Sequence, residues 1–427
     1  MSRPEERTAG LNGAGAEEHL RMLYGSGRET LEKQKARYAD LLRGFHDAFG
    51  GAGDPVFFSA PGRTEIGGNH TDHNNGRVLA ASVNLDALCA AAPREDGRVR
   101  FLSRGYAPLD MDLSDTEVRP EENGTTAALI RGVADGMKRA GYRIGGFDAA
   151  VDSTVAGGSG LSSSAAVEVM LTAVFDGLFN DFSMPFTERA QISRRAENLY
   201  FGKPSGLLDQ MASAAGGLVT VDFADDRNPR VEALQYDFAA KGYALVVTAT
   251  GGSHADLTDH YAAIPREMRS VAAYFGRETL RGTTEEELIR EAGKLRKAAG
   301  ERAVLRAFHF VQEDARVPEQ VAALKEDRME DFLRLITESG RSSFMYLQNV
   351  YPPEGDQGLS LALCMAESLL KGRGAWRVHG GGFAGTTLNF VPLDLAEEFV
   401  AKMDAAFGAG ACHVLNIRPV GADRLIP

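Results

Sequence analysis

The passage from residue 146 to residue 166 constrains this chain more than any other. A strand-like apolar run, Gly146 to Val151, leads into Val155-Ala156-Gly157-Gly158-Ser159-Gly160, and a helix opens at Leu161-Ser162-Ser163-Ser164-Ala165-Ala166. Glycines let successive backbone N–H groups turn inward, and a helix N-terminus adds partial positive charge. The small residues Ser163, Ser164 and Ala165 let phosphate oxygens approach the backbone, and a serine hydroxyl there can reach a Mg²⁺. No Gly-Lys-Ser/Thr follows, so this is not a Walker loop. Glycine is abundant, 48 of 427 residues, against an average usage of about 7%.

The other glycine clusters also punctuate strand-like and helix-like runs. Leu31, Tyr38, Leu41, Leu42, Phe45 and Phe49 recur at helical spacing, which predicts a helix over 29–49 closed by Gly50-Gly51. The residues before it read as a solvated, acidic start. A short strand at 56–58 precedes a stretch, 63–76, so dense in Gly, Asn, Asp and His that it reads as loop. A long buried strand follows at 78–91, then helices near 125–140, 187–200 and 206–214, with a strand at 217–223. Strand 244–250 opens a second half rich in charged helices, and Trp376-Arg377-Val378-His379 enters Gly380-Gly381-Gly382-Phe383 before strand 386–391. The fold class expected is α+β.

Charge and cysteine content narrow the function. Lys and Arg number 47 against 59 Asp and Glu, a net charge of -12, which argues against nucleic acid or an anionic membrane surface as partner. Cys89, Cys364 and Cys412 lie far apart without CxxC spacing, so neither a disulfide framework nor a structural zinc is expected. The first residues lack an apolar signal core, and no run approaches the roughly 18 apolar residues of a membrane span. The expectation is a cytoplasmic protein of several domains acting on small molecules.

Four motifs, in order, carry a resemblance. Residues 155–165 resemble the nucleotide-phosphate motif of the GHMP small-molecule kinases. Gly62-Arg63-Thr64-Glu65-Ile66-Gly67-Gly68-Asn69-His70-Thr71-Asp72-His73-Asn74 is similar to the sugar motif of their galactokinase branch, whose usual form is Gly-Arg-x-Asn-Leu-Ile-Gly-Glu-His-Thr-Asp-Tyr-Asn. Gly206-Leu207-Leu208-Asp209-Gln210 resembles the segment bearing that branch's base, and Gly380–Gly385 resembles the third motif, with Ala384 where glycine is commoner.

The resemblance implies a two-domain fold with the active site between the domains, and transfer of phosphate from ATP to a sugar 1-hydroxyl. It implies an amino-terminal extension over 1–50, an amino-terminal domain over 51–240 and a carboxy-terminal domain over 241–427. Asp209 would be the base and Arg63 its partner; Gly157, Gly158, Ser159, Gly160, Leu161, Ser162, Ser163, Ser164 and Ala165 would cradle ATP. Glu197, twelve residues before Asp209, would hold Mg²⁺ with Ser164. Asn69, His70, Asp72, Tyr261 and Gly382 would line the sugar site.

Glu65, Gly67, Asn69 and His73 depart from the usual sugar motif. Asn69 replaces a glutamate that would accept from the C6 hydroxyl, which makes galacturonate a rival to galactose. Thr126 and Leu129 stand where aromatics often meet adenine. A non-catalytic sugar and ATP sensor is a further alternative, but Ser164, Ala165 and Asp209, all present, speak for catalysis. His70-Thr71-Asp72 speaks against a mevalonate- or homoserine-type branch.

Overall fold

The computed structural model describes residues 13–50, 53–155, 160–203, 205–225, 227–251, 257–351, 356–383 and 385–426. Two sheets organise them. β1 (Val56–Gly67), β2 (Arg77–Arg94), β3 (Arg98–Ser103), β4 (Leu109–Asp112), β5 (Gly146–Ser153) and β12 (Asp423–Leu425) lie in the order β12-β1-β2-β5-β3-β4. β6 (Leu218–Asp222) pairs with β2, and β7 (Arg230–Leu234) with β6. The second sheet has the order β11-β8-β10-β9, from β8 (Tyr243–Ala249), β9 (Ala375–His379), β10 (Thr386–Pro392) and β11 (Cys412–Leu415).

β2 is apolar almost without alternation because both of its faces are covered. One face receives α4 (Ser163–Phe179), which contributes Val169, Ala173 and Val174 to the main core. The other receives a helical hairpin, α1 (Ala14–Tyr24) and α2 (Arg28–Ala48), packed on Phe57, Leu88, Ala90 and Ala150. α2 was legible. α1 corrects the reading of a solvated start: Leu20, Leu23 and Tyr24 are buried, three anchors at helical spacing in an otherwise polar segment.

β1 corrects a second expectation. The predicted strand stopped at Phe58, yet the strand continues to Gly67, with register shifts between Pro61 and Arg63 and between Glu65 and Gly67. Arg63, Thr64 and Glu65 are buried there. Arg63, Thr64 and one Glu65 oxygen find partners inside the protein, so their polarity did not mark solvent.

α3 (Thr126–Arg139), α5 (Phe186–Ala196) and α6 (Leu208–Ala215) complete the helical layer beside the first sheet. α7 (Thr258–Tyr274), α8 (Glu285–Ala298), α9 (Glu301–Lys325) and α10 (Met329–Ser342) form a second layer, and α9 packs against β1 and β2. α11 (Gly358–Leu370) and α12 (Ala396–Phe407) cover the second sheet. The chain then leaves that sheet, and β12 pairs with β1, Phe57 opposite Leu425.

Candidate active site

The end of the phosphate loop is fastened to β1 through backbone. The Arg63 amide donates to the Leu161 carbonyl at 3.0 Å, and a Cβ on Gly62 would press on that same oxygen. The Arg63 side chain then spans two motifs: Nε donates to Asp209 Oδ1 at 2.7 Å and Nη1 to the Gly160 carbonyl. Ser162, in the left-handed region with φ 57°, turns its hydroxyl onto Asp209 Oδ2. Residues 62, 63, 160–162 and 209 are thereby brought to one point.

Asp209 sits in the first turn of α6 and is 34% exposed, so its carboxylate keeps an open side. Burial pushes its carboxyl up. The Arg63 charge, the Ser162 and Arg63 hydrogen bonds and the Lys203 charge outweigh that and hold it below the usual carboxylate range. Asp72, from the sugar motif, lies against Gly206, three residues before Asp209, where a Cβ would collide with Asp72 Oδ2.

A second carboxylate cluster lies under the first turn of α4. Glu197 opens a single π turn, Glu197–Phe201, that follows α5. Its Oε1 lies 3.2 Å from Ser164 Oγ and accepts from Lys203 Nζ at 2.8 Å, while Oε2 accepts from Gln210 Nε2 at 2.8 Å and from the Ser205 hydroxyl. Gln210 also donates to Glu168 Oε2 at 2.9 Å. Glu168 is fully buried with Oε1 unpartnered, and burial followed by the Glu197 charge pushes its carboxyl well above the usual range. The sequence reading missed Glu168; its spacing of four residues from Ser164 on a helix was the available signal.

The sugar motif is folded more tightly than its composition implied. His70 adopts φ 58° and contacts the Gly381 carbonyl through Nε2 at 2.9 Å. Burial, then the neighbouring His73, lowers its pKa to about 3, so the ring is neutral. Asn69 corrects the reading that set it against the sugar. It is wholly buried; Nδ2 donates to Glu65 Oε1 and the Gly380 carbonyl, and Oδ1 accepts from Ser343 and Asn349. An amide with two donated and two accepted bonds has no capacity left. Gly67, another departure, makes room for Gln320, whose carboxamide a Cβ would strike.

The third glycine motif is held by its neighbours. Tyr261 donates its hydroxyl to the Gly382 carbonyl at 2.7 Å and meets the Phe383 ring edge-on. Gly382 has φ +82°, and a Cβ there would collide with the Asn349 carbonyl. His379, also missed, links this motif to β1: Nδ1 meets Thr386 Oγ1 at 2.9 Å, and Nε2 accepts from the Glu65 amide at 3.2 Å. Gly157, Gly158, Ser159 and Ala384 lie outside the described residues.

This fold and this convergence of motifs define a class, the GHMP kinases. Residues 128–217 match the GHMP kinases N terminal domain, and residues 43–93 the galactokinase galactose-binding signature. Among solved structures, Lactococcus lactis galactokinase complexed with galactose superposes with a TM-score of 0.80 at 24% identity, covering 91% of this chain and 100% of that one. Methanococcus jannaschii mevalonate kinase gives 0.62 at 15% identity, covering 86% and 99%.

Curated relatives are more specific. Galactokinase from Streptomyces coelicolor is 31% identical over 386 residues, 90% of this chain and 97% of that protein. Galactokinase from Homo sapiens is 32% identical over 394 residues, 90% and 95%. The chain belongs to the galactokinase family.

Proposed function

We propose that this chain phosphorylates galactose with ATP, giving galactose 1-phosphate and ADP, by direct transfer. The observation that carries the reading is the ionised Asp209, fixed by Arg63 at 2.7 Å and by Ser162 at the mouth of the phosphate loop, with an open side. Asp209 takes the proton of the sugar 1-hydroxyl as that oxygen bonds to the γ-phosphorus and the bond to ADP breaks. With a loose transition state the proton leaves late, so Asp209 acts largely by orienting the hydroxyl and by its charge. Arg63 keeps Asp209 ionised, and its guanidinium would meet the transferring group.

ATP phosphates would rest on the N-terminus of α4, where Gly160, Leu161, Ser162, Ser163, Ser164 and Ala165 leave backbone accessible. Magnesium fits the donors at that helix end: one serine hydroxyl and one carboxylate, already facing the Lys203 cation, suit a hard ion that keeps most of its waters. Ser164 and Glu197 would hold it. Bound there, Mg²⁺ would neutralise phosphate charge during transfer. His70, Asp72, Tyr261 and Gly382 would border the sugar.

The partners of this reading are two small molecules. No helix among the described residues is long and apolar enough to cross a membrane. The galacturonate alternative rested on an uncharged residue facing C6, and the saturated, buried Asn69 removes that ground.

A coupled ADP-release assay with Mg·ATP and galactose, galacturonate, glucose, N-acetylgalactosamine and arabinose tests the proposal. Galactose should be turned over well above the rest. Preference for galacturonate would overturn the substrate, and silence on every sugar with tight ATP binding would overturn catalysis.

A further inference from the structure

Glu65 lies two residues along β1 from Arg63, and burial pushes its carboxyl up against the opposing pull of the Arg377 and Arg63 charges. Its two oxygens are treated differently. Oε1 accepts from Arg377 Nη2 at 2.6 Å and from Asn69 Nδ2 at 2.9 Å. Oε2 has no hydrogen bond among the described residues, although the side chain is only 8% exposed. Arg377 is itself wholly buried, and its Nε and Nη1 donate to the Val378 and Ile66 carbonyls. The arrangement clamps one carboxylate oxygen and leaves the other with its accepting capacity unused among the described residues.

The motif's departures explain how this arose. In the usual form asparagine stands at the position of Glu65 and glutamate at the position of Asn69. This chain has exchanged the two, and the exchanged residues are hydrogen-bonded to each other. The wall of the site therefore keeps one carboxylate and one amide with their places reversed. We propose that Glu65, through Oε2, is the acceptor that reads one hydroxyl of the sugar, with Asn69 and Arg377 holding its other oxygen. This rests on the galactose reading above.

The test is kcat/KM for galactose and for 2-, 3-, 4- and 6-deoxygalactose, in wild type, Glu65→Gln and Glu65→Asp. Glu65→Asp keeps a charge toward Arg377 and serves where the glutamine variant fails to fold. Galactose should lose about tenfold or more in either variant, with KM for ATP unchanged. That loss should vanish for the one deoxy sugar lacking the hydroxyl that Glu65 reads. Equal losses on all five sugars, or no loss on galactose, would overturn the proposal. A wild type inactive on galactose would instead overturn the reading on which it rests.

Discussion

Asp86 and Asp209 are both carboxylates facing arginine, and the protein finishes them in opposite ways. Asp86, on β2, is wholly buried. Oδ1 accepts from Arg37 Nη1 at 2.6 Å, and Oδ2 accepts from the Tyr24 hydroxyl at 2.5 Å, from Ser59 and from Arg418 at 3.4 Å. Those donors come from α1, α2, β1 and the carboxy-terminal segment, so Asp86 ties four parts of the chain together. Asp209 has two partners and an open side. In both, burial pushes the carboxyl up and arginine charge outweighs it, leaving the carboxyl below its usual range. Charge state therefore does not separate the two. Unused accepting capacity does.

The sharpest way to break the comparison is Asp209→Ala, which should lower kcat by about a thousandfold or more while ATP binding and thermal stability stay near wild type. A kcat near wild type would mean that Asp209 is neither base nor charge partner. Asp86→Ala should do the reverse. Removing one partner from a buried ion pair costs about 3–5 kcal/mol, so urea unfolding should show a large loss of stability with the activity of the folded fraction retained. If Asp86→Ala were as stable as wild type, the knot of donors around it would carry no weight.

Asn69→Glu probes the intermediate case, a wall that is saturated at one residue and open at the next. A second carboxylate beside Glu65 should cost about a hundredfold in kcat/KM for galactose, and the double exchange Glu65→Asn with Asn69→Glu should recover most of it. Simple additivity of the two changes would show that the pair is not coupled.

The smallest effect is on pH dependence. Asp86 has an ordinary value of 3.8 and a lower one when folded. Its contribution to stability is thus fully present above 3.8 and is lost as pH falls through the depressed value. Urea unfolding of wild type and Asp86→Asn should differ most near neutrality and converge below that range.

How far these residues could be read in advance follows the same division. Arg63, Asp72 and Asp209 were legible because motifs keep their local order, and the structure brings their segments together. α2 was legible because its apolar residues repeat at helical spacing. Asp86 was not, because its donors stand at residues 24, 37, 59 and 418 and no local pattern joins them. Asn69 misled for a related reason: spacing indicated where the residue falls but not that Ser343 and Asn349 would use up its amide. The burial of Arg63, Thr64 and Glu65 escaped a reading in which polar residues mean solvent.

The pairing of β12 with β1, and the reach of Arg418 into Asp86, bear on how the protein is made. Arg418 lies 332 residues after the carboxylate it meets. At synthesis rates of about 5–20 residues per second, the interval between the two is on the order of tens of seconds. Throughout it the edge of β1 has no β12 beside it and Asp86 lacks one of its arginines. A nascent chain stalled before residue 418 would hold α4 and α6 against a first sheet that still lacks its last strand.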